Sequence, residues 1–188
     1  MKRLSYILLS VLALTACTNS ERADRAVAAT DTVLPIADTT NKAQVYTADV
    51  GLTGNEKAFL LNAALSAKRI NAFAHLATQQ AKSTDLRNQA AKFAHQYNTM
   101  LIHLETLATG KGISLGNTEK IAELAVLKKE QGDQFDQLYT KLVLAEHANL
   151  IQQLNNGSKV ANNEIKTFAS SGLNIVNRNN SDMAKLLK

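Results

Sequence analysis

Apolar residues recur every three or four positions along most of the chain, and this spacing restricts it to helices. Such a repeat places apolar side chains on one face of an α-helix. The clearest examples are the two series Leu86, Ala90, Phe93, Tyr97, Met100, Leu104, Leu107 and Phe135, Leu138, Tyr139, Leu142, Val143, His147, Leu150, Ile151, Leu154. The single proline, Pro35, precedes both series, and the alternation of Val, Ile and Thr that marks strands is missing. The sequence therefore predicts an all-α protein.

The first two predicted helices form a hairpin. Residues 53–56 match the capping box S/T-x-x-E, in which each end of the motif binds an otherwise unpaired amide. The helix that begins there runs to about Lys82, and Ser83 or Thr84 caps the next helix. Gly110 ends this second helix, as glycine commonly does just past a helix end. Because almost no residues separate the two helices, they should pack side by side.

Two further helices are predicted after this hairpin. Asn117 or Thr118 caps the third helix. Gly132 interrupts or kinks it, because glycine within a helix costs about 1 kcal/mol relative to alanine. A last helix passes Gly172 and continues towards the C-terminus. Four long amphipathic helices with short connections predict an antiparallel four-helix bundle whose third and fourth helices are kinked.

The N-terminus has the pattern of an export signal. Two basic residues precede the apolar run 4–14, which is too short for a membrane-spanning helix of roughly 20 residues. Residues 14–17, Leu-Thr-Ala-Cys, resemble a bacterial lipobox, and this resemblance implies cleavage before Cys17 and acylation of its thiol, for example with palmitate. We therefore expect a lipoprotein signal peptide at 1–16, a lipidated flexible tether at 17–54 and the helical bundle domain at 55–187.

The residue after the cysteine indicates a destination. Thr18 follows Cys17, so the aspartate that marks inner-membrane retention in many lipoproteins is absent. By analogy with that sorting rule, we expect an outer-membrane lipoprotein that faces the periplasm, with the inner membrane and the cell surface as alternatives. Its expected partners are the membrane, through the lipid on Cys17, and an envelope protein. The oligomeric state is left open.

Composition limits the other classes of partner and the source of stability. Cleavage removes two basic residues, so the formal net charge falls from +5 to +3. No cluster of Lys and Arg with interleaved aromatic residues accompanies this small excess, so nucleic-acid binding is not expected. Because Cys17 is the single cysteine, the exported domain must be stable through its core rather than through a disulfide.

One segment carries a family resemblance. Gly132, Phe135, Asp136 and Tyr139 form the pattern Gly-x-x-Phe-Asp-x-x-Tyr, and His147 follows about two helical turns later. The sequence here resembles the exported bacterial proteins grouped as domain of unknown function 4142. The resemblance covers about residues 55–187 and implies a ferritin-like helical bundle in the cell envelope, with no established activity.

The chain departs from the pattern of that family at two places. The resemblance implies an Asp-His pair on the second helix, where this chain has Gln96 and Tyr97. It also implies a histidine on the last helix, near Asn179. Of the histidines that recur in the family, His147 is the one that this chain keeps.

Metal chemistry of the ferritin type is not expected. Di-metal sites in such folds use Glu-x-x-His on two helices, because residues at i and i+3 project from one face. The chain has no Glu-x-x-His, and Glu146 and His147 are adjacent, so their side chains point about 100° apart. We therefore predict no metal site, no cofactor and no catalytic residue. The nucleophile motif Gly-x-Ser-x-Gly and the phosphate-binding loop are also missing from the sequence.

Asp136, Tyr139 and His147 form the candidate polar cluster. Asp136 and Tyr139 lie at i and i+3 and could touch, or they could fix the break at Gly132. His147 is either a ligand or proton relay, or a histidine at the edge of the core that is hydrogen-bonded to a neighbouring helix. The remaining histidines, His75, His95 and His103, are expected in solvent.

Three functions follow as hypotheses. The first is a lipid-anchored envelope protein that acts as a non-enzymatic binding or structural module. The second is a metal-binding or redox protein of the ferritin-like type. The third is a carrier of a small ligand, which would need an apolar void around Tyr97, Tyr139 and His147.

Overall fold

A computed structural model describes residues 51–116 and 120–187, and all its regular structure is helical. The lipobox, the tether up to residue 50 and the proposed caps Asn117 and Thr118 lie outside the described residues. Five helices are present there: α1 (Gly54–Gln80), α2 (Thr84–Thr109), α3 (Ala122–Leu127), α4 (Gly132–Gly157) and α5 (Asn163–Lys185). The predicted all-α bundle is confirmed. Within the described part of the chain, no helix has both the length and the hydropathy that a membrane span requires.

The helix caps form as the sequence indicated. The Thr53 hydroxyl accepts a hydrogen bond from the Glu56 N–H at 3.3 Å, and the Glu56 carboxylate accepts one from the Thr53 N–H at 2.8 Å. These two bonds complete the capping box and supply partners for amides that helix geometry leaves free. Ser83 caps α2 through its hydroxyl, which accepts from the Leu86 N–H. The helices of the first hairpin therefore begin where the sequence placed them.

The third predicted helix is divided in two. Gly132 has a φ of 59°, in the left-handed region that residues other than glycine rarely adopt. Helix α4 therefore begins at Gly132 instead of continuing α3, which is only six residues long. The interruption predicted at Gly132 is confirmed, and it is a break between two helices rather than a bend within one. By contrast, α5 runs through Gly172 without a break.

Contacts between the helix ends define the topology. Asp136, in the first turn of α4, accepts from the backbone N–H groups of Lys82 and Ser83 in the α1–α2 turn. At the other end, the Glu56 carboxylate accepts from the Asn162 N–H in the α4–α5 turn. Helix α1 is therefore antiparallel to both α2 and α4, while α2 and α4 run in the same direction. The end of α2 and the start of α4 therefore lie at opposite ends of the bundle, and one such long crossover connection is typical of ferritin-like folds. The prediction of short connections holds for the two hairpins and is wrong for this crossover.

Small residues on α1 make room for aromatic rings from the other helices. Its buried face carries Ala63, Ala64, Ala67, Ala74 and Ala77. The neighbouring helices α2 and α4 contribute the large, fully buried residues Phe93, Tyr97, Phe135 and Tyr139. Protein interiors are close-packed, so large rings require small residues across the interface.

Two glycines also allow close packing between helices. A Cβ atom at Gly157 would lie 2.4 Å from the Phe59 ring, and one at Gly172 would lie 3.0 Å from a methyl group of Leu154. Gly172 is thus a close-packing residue on a continuous helix, which explains why a glycine that lowers helix propensity does not end α5.

Candidate functional site

The structure places the three residues of the candidate polar cluster in two different environments. Asp136 is half-buried, and its two carboxylate oxygens accept from the N–H groups of Lys82 at 2.9 Å and Ser83 at 2.8 Å. Its role is to fasten the start of α4 to the α1–α2 turn, where backbone amides would otherwise be unpaired. Tyr139 and His147 are fully buried inside the bundle.

Tyr97 of α2 is the centre of the interior site. Its ring centroid lies 5.7 Å from that of His147, and Phe93 packs edge-on against both rings at 5.9 and 5.2 Å. The sequence presented Tyr97 as one member of an apolar series. The family resemblance and the carrier hypothesis also pointed to Tyr97, although its residue type alone did not, because tyrosine fits an apolar stripe while adding a hydroxyl that needs a partner.

Asn179 of α5 completes the site from the opposite side. Its side-chain amide donates to the Gln96 carbonyl oxygen at 3.0 Å and to the Tyr97 hydroxyl at 3.4 Å. Gln96, Tyr97 and Asn179 are the positions at which the family resemblance implies an Asp-His pair and a histidine. The structure brings these positions together with His147, although they lie on three different helices. The resemblance was the only indication in the sequence that Asn179 belongs to a site.

Several polar atoms of this interior site have no protein partner. The atoms are the Tyr139 hydroxyl oxygen, both ring nitrogens of His147 and the Asn179 carbonyl oxygen, all buried and without a hydrogen bond from the described residues. His147 is therefore a core residue rather than the hydrogen-bonded core-edge histidine that the sequence suggested. An unpartnered buried polar atom costs about 1–3 kcal/mol. Four such atoms would consume a large part of the roughly 5–15 kcal/mol by which a domain is stable.

Burial keeps the interior site neutral. It lowers the pKa of His147 to about 4, because a charged imidazolium loses its hydration there. Burial also raises the pKa of Tyr97, an effect that the hydrogen bond from Asn179 opposes. The pKa of Tyr139 is raised by burial and further by its electrostatic interaction with Tyr97. At neutral pH, His147 and both tyrosines are therefore uncharged.

The nearest carboxylate in sequence faces away from this site. Glu146 binds the Arg69 guanidinium at 3.1 Å across the α1–α4 interface, and Glu123 of α3 lies 4.0 Å from the same group. Among the residues that the structure describes, no three His, Cys, Asp or Glu side chains come together as metal ligands would. The arrangement can accept and donate hydrogen bonds, and it offers no charged ligand to an ion.

The surface grooves lie elsewhere. Cavities of about 750 and 540 Å³ are found at the two ends of the bundle, beside Thr53 and beside Asp136 respectively. A third, of about 660 Å³, lies between α2 and α5 and includes Leu107, Phe168 and the exposed His103. Tyr97, Tyr139 and His147 line none of these three grooves. His75 and His95 are exposed on the outside of α1 and α2, as expected.

Two solved structures are similar to this chain. A DUF305 fragment from Deinococcus radiodurans has a TM-score of 0.65 at 14% identity, covering 72% of this chain and 96% of the fragment. A DUF305 protein from Streptomyces coelicolor, thought to be secreted, has a TM-score of 0.63 at 12% identity, covering 71% of this chain and 90% of that one. At these identities the likeness establishes the fold alone. Comparison of the sequence with the curated proteins finds no match.

A family model accounts for most of the chain. The model described as "Domain of unknown function (DUF4142)" matches residues 40–186. The matched range contains every helix that the structure describes and the segment from Gly132 to His147 that carried the resemblance. On this evidence, the chain belongs to the DUF4142 family.

Proposed function

We propose that the protein is a lipid-anchored component of the bacterial envelope whose helical domain is a non-enzymatic binding or structural module. The observation that carries the proposal is the lipobox at residues 14–17, which stands well ahead of a self-contained domain. The family match begins only at residue 40, so 22 residues separate Cys17 from it. A coil of that length has a root-mean-square span of roughly 26 Å, enough to hold the domain beside a membrane.

Contacts at the start of α1 support the proposal that a separate tether precedes the domain. The Thr53–Glu56 capping box closes the first turn of α1 within the domain. The same Glu56 carboxylate binds Asn162 in the α4–α5 turn, so the entry point of the chain is fixed by contacts inside the bundle. The Streptomyces structure that shares this fold is of a protein thought to be secreted, which agrees with an exported domain.

The chemistry of the interior supports a module rather than an enzyme. The buried acids have fixed partners, Glu146 on Arg69 and Glu56 in the capping box. The buried His147 is neutral and packed against aromatic rings. General acid–base catalysis needs a titratable group within reach of a substrate. Glu146, Glu56 and His147 lie in interfaces or in the packed core, out of such reach.

Mass spectrometry of the protein purified from native membranes tests the anchor. We expect a mature N-terminus at Cys17 that carries acyl chains, which bind stably to a membrane when two or more are present. Cys17→Ala should abolish acylation and release the protein from the membrane fraction. Thr18→Asp is the matched control, because it leaves the thiol available and should move the protein to the inner membrane. An unmodified thiol on an uncleaved wild-type chain would contradict the proposal.

A pull-down from native membranes tests the role as a binding module. We expect the anchored protein to capture a defined envelope protein and the Cys17→Ala form, present at the same level, to capture much less of it. Equal capture by both forms would show that anchoring does not serve this interaction, and it would contradict an envelope role even if acylation were found.

A further inference from the structure

The interior site contains a set of buried polar atoms without hydrogen-bond partners among the described residues. The Tyr139 hydroxyl, both ring nitrogens of His147 and the Asn179 carbonyl oxygen are inaccessible and have no hydrogen bond from any described residue. The side chains to which they belong are at most 1% exposed. More than nine-tenths of buried polar groups in proteins are hydrogen-bonded, either to protein or to ordered water. A set of four unpartnered atoms in one core therefore requires a shared explanation.

The side chains that carry these atoms lie near Tyr97. The Tyr97 hydroxyl lies 3.4 Å from the Asn179 amide nitrogen, and the Tyr97 ring lies 5.7 Å from the His147 ring. Tyr139 interacts electrostatically with Tyr97, which places the two phenols in the same part of the core. Helices α2, α4 and α5 thus each contribute to one polar locus in the interior.

We propose that the bundle binds ordered water at this locus, between Tyr139, His147 and Asn179, and that this water exchanges with solvent along the interface of α2 and α5. Water suits the set because each molecule donates and accepts two hydrogen bonds. A neutral imidazole offers one donor and one acceptor, a phenol offers both, and the Asn179 oxygen accepts. Buried waters typically make about three such bonds to groups that lack a protein partner.

The absence of a charged group at this locus, among the described residues, favours a neutral molecule over an ion. The ion pair of Arg69 with Glu146 lies across the α1–α4 interface, and the Glu146 carboxylate is directed there rather than towards the locus that contains His147. The pair formed by Lys92 and Asp182 lies at the surface. Among the described residues, no charged group is found to act on His147, whose pKa is shifted by burial alone. Burying an unpaired charge at this locus would be far more costly than burying a neutral polar molecule.

The interface of α2 and α5 is the open side of the bundle. These two helices are the least closely packed of the four neighbouring pairs of long helices. On the α1 side, by contrast, fully buried alanines close the interior. Gln96 is half-buried on α2 and holds Asn179 through the 3.0 Å hydrogen bond. Breaking this bond would open a polar path from the surface to the Tyr97 hydroxyl.

Magnetic relaxation dispersion of water oxygen-17 tests the inference on the full mature chain. The amplitude of the dispersion reports the number of internal waters whose residence time exceeds the rotational correlation time of the protein. We expect the wild-type amplitude to correspond to at least one such water and Asn179→Leu to lower it by one or more. Asn180→Leu makes the same change at the next residue of α5, outside the locus, and should leave the amplitude unchanged. Tyr139→Phe keeps the ring and removes one hydroxyl, so it provides a second loss of amplitude if Asn179→Leu does not fold.

Three outcomes would overturn the inference. They are a wild-type amplitude of zero, an unchanged amplitude in a folded Asn179→Leu or Tyr139→Phe variant, and an equal loss in Asn180→Leu. None of these outcomes depends on acylation of Cys17, so this inference and the proposed envelope role can fail separately.

Discussion

Glu146 and His147 are neighbours on α4, yet the bundle buries them in opposite ways. Glu146 lies at the α1–α4 interface, where the Arg69 guanidinium binds its carboxylate at 3.1 Å. His147 lies in the centre among Phe93 and Tyr97, without a protein hydrogen bond from the described residues. Successive residues of a helix point about 100° apart, so one step along α4 moves from a paired charge to a neutral site.

The difference shows where this bundle buries charged side chains and where it buries neutral polar ones. A charge is retained near the periphery, where a long side chain from another helix can reach it and part of the pair stays hydrated. The centre admits polar residues only in their neutral forms, because it offers no opposite charge to His147. Substitutions and changes of pH at the two sites should therefore differ in their effect on stability.

The largest effect should come from protonation of His147. Burial lowers its pKa from 6.5 to about 4, so between these values the unfolded chain takes up a proton that the folded protein does not. The stabilisation is complete above about pH 6.5 and is lost as the pH falls towards 4, with no further loss from this group below that. The total is roughly 3 kcal/mol.

Urea unfolding between pH 4 and 8 measures this loss. The variant His147→Phe should lack it, while the matched variant His103→Phe, at an exposed ring of α2, should retain it. A wild-type pH dependence that persists in His147→Phe would show that the neutral centre is not its source.

The second largest loss of stability is expected when the ion pair of Arg69 with Glu146 is broken. Arg69→Met keeps much of the apolar length of the side chain and leaves the Glu146 carboxylate without its cation in a nearly buried position. Breaking a fully buried pair costs about 3–5 kcal/mol, and an exposed pair is worth about 0–1. Because the Arg69 side chain is 24% exposed, we expect an intermediate loss of about 2 kcal/mol at pH 7. The double variant Arg69→Met with Glu146→Gln should recover part of that loss, and a further loss in the double variant would contradict the pairing.

A smaller effect is expected from Tyr139→Phe. The hydroxyl has no protein partner among the described residues, so its removal breaks no bond between helices and leaves the ring stack with Phe135 in place. The free energy of unfolding should fall by less than about 1 kcal/mol, the scale of one hydrogen bond to water. A loss above about 2 kcal/mol would indicate a direct partner in the protein and would weaken the contrast with Glu146.

The smallest effect should come from an exposed ion pair. Lys82 contacts Asp133 at 2.9 Å, but their side chains are 62% and 74% exposed, so water screens the attraction. Lys82→Met should leave the midpoint of urea unfolding unchanged within error. A loss comparable with that of Arg69→Met would mean that burial does not distinguish the two pairs.

The sequence predicted the local features of this fold well. The Thr53–Glu56 capping box, the Ser83 cap and the break at Gly132 each depend on a few adjacent residues, and each is present. The long crossover from the end of α2 to the start of α4 was not predicted. It depends on contacts between distant segments, such as Asp136 with the α1–α2 turn, which no local pattern encodes.

The interior site shows the same limit more clearly. The spacing of Glu146 and His147 indicated that their side chains diverge. The carrier hypothesis grouped Tyr97 with Tyr139 and His147, but no periodic pattern placed Asn179 beside them. A tyrosine within an apolar stripe and an asparagine late in a helix are each unremarkable by sequence. Only the packing of α2, α4 and α5 reveals that the three share one locus, with a hydrogen bond from Asn179 to the Tyr97 hydroxyl.

The measurement that tests this account most directly is the titration of His147 by nuclear magnetic resonance, with His147→Phe used to assign its ring signals. A neutral centre predicts that the His147 ring stays uncharged on acidification down to at least pH 5, with a midpoint near the lowered pKa of about 4. A midpoint at or above 6.5, the ordinary value for histidine, would mean that the ring is solvated or paired with a charge, and it would contradict the neutral centre on which the account rests.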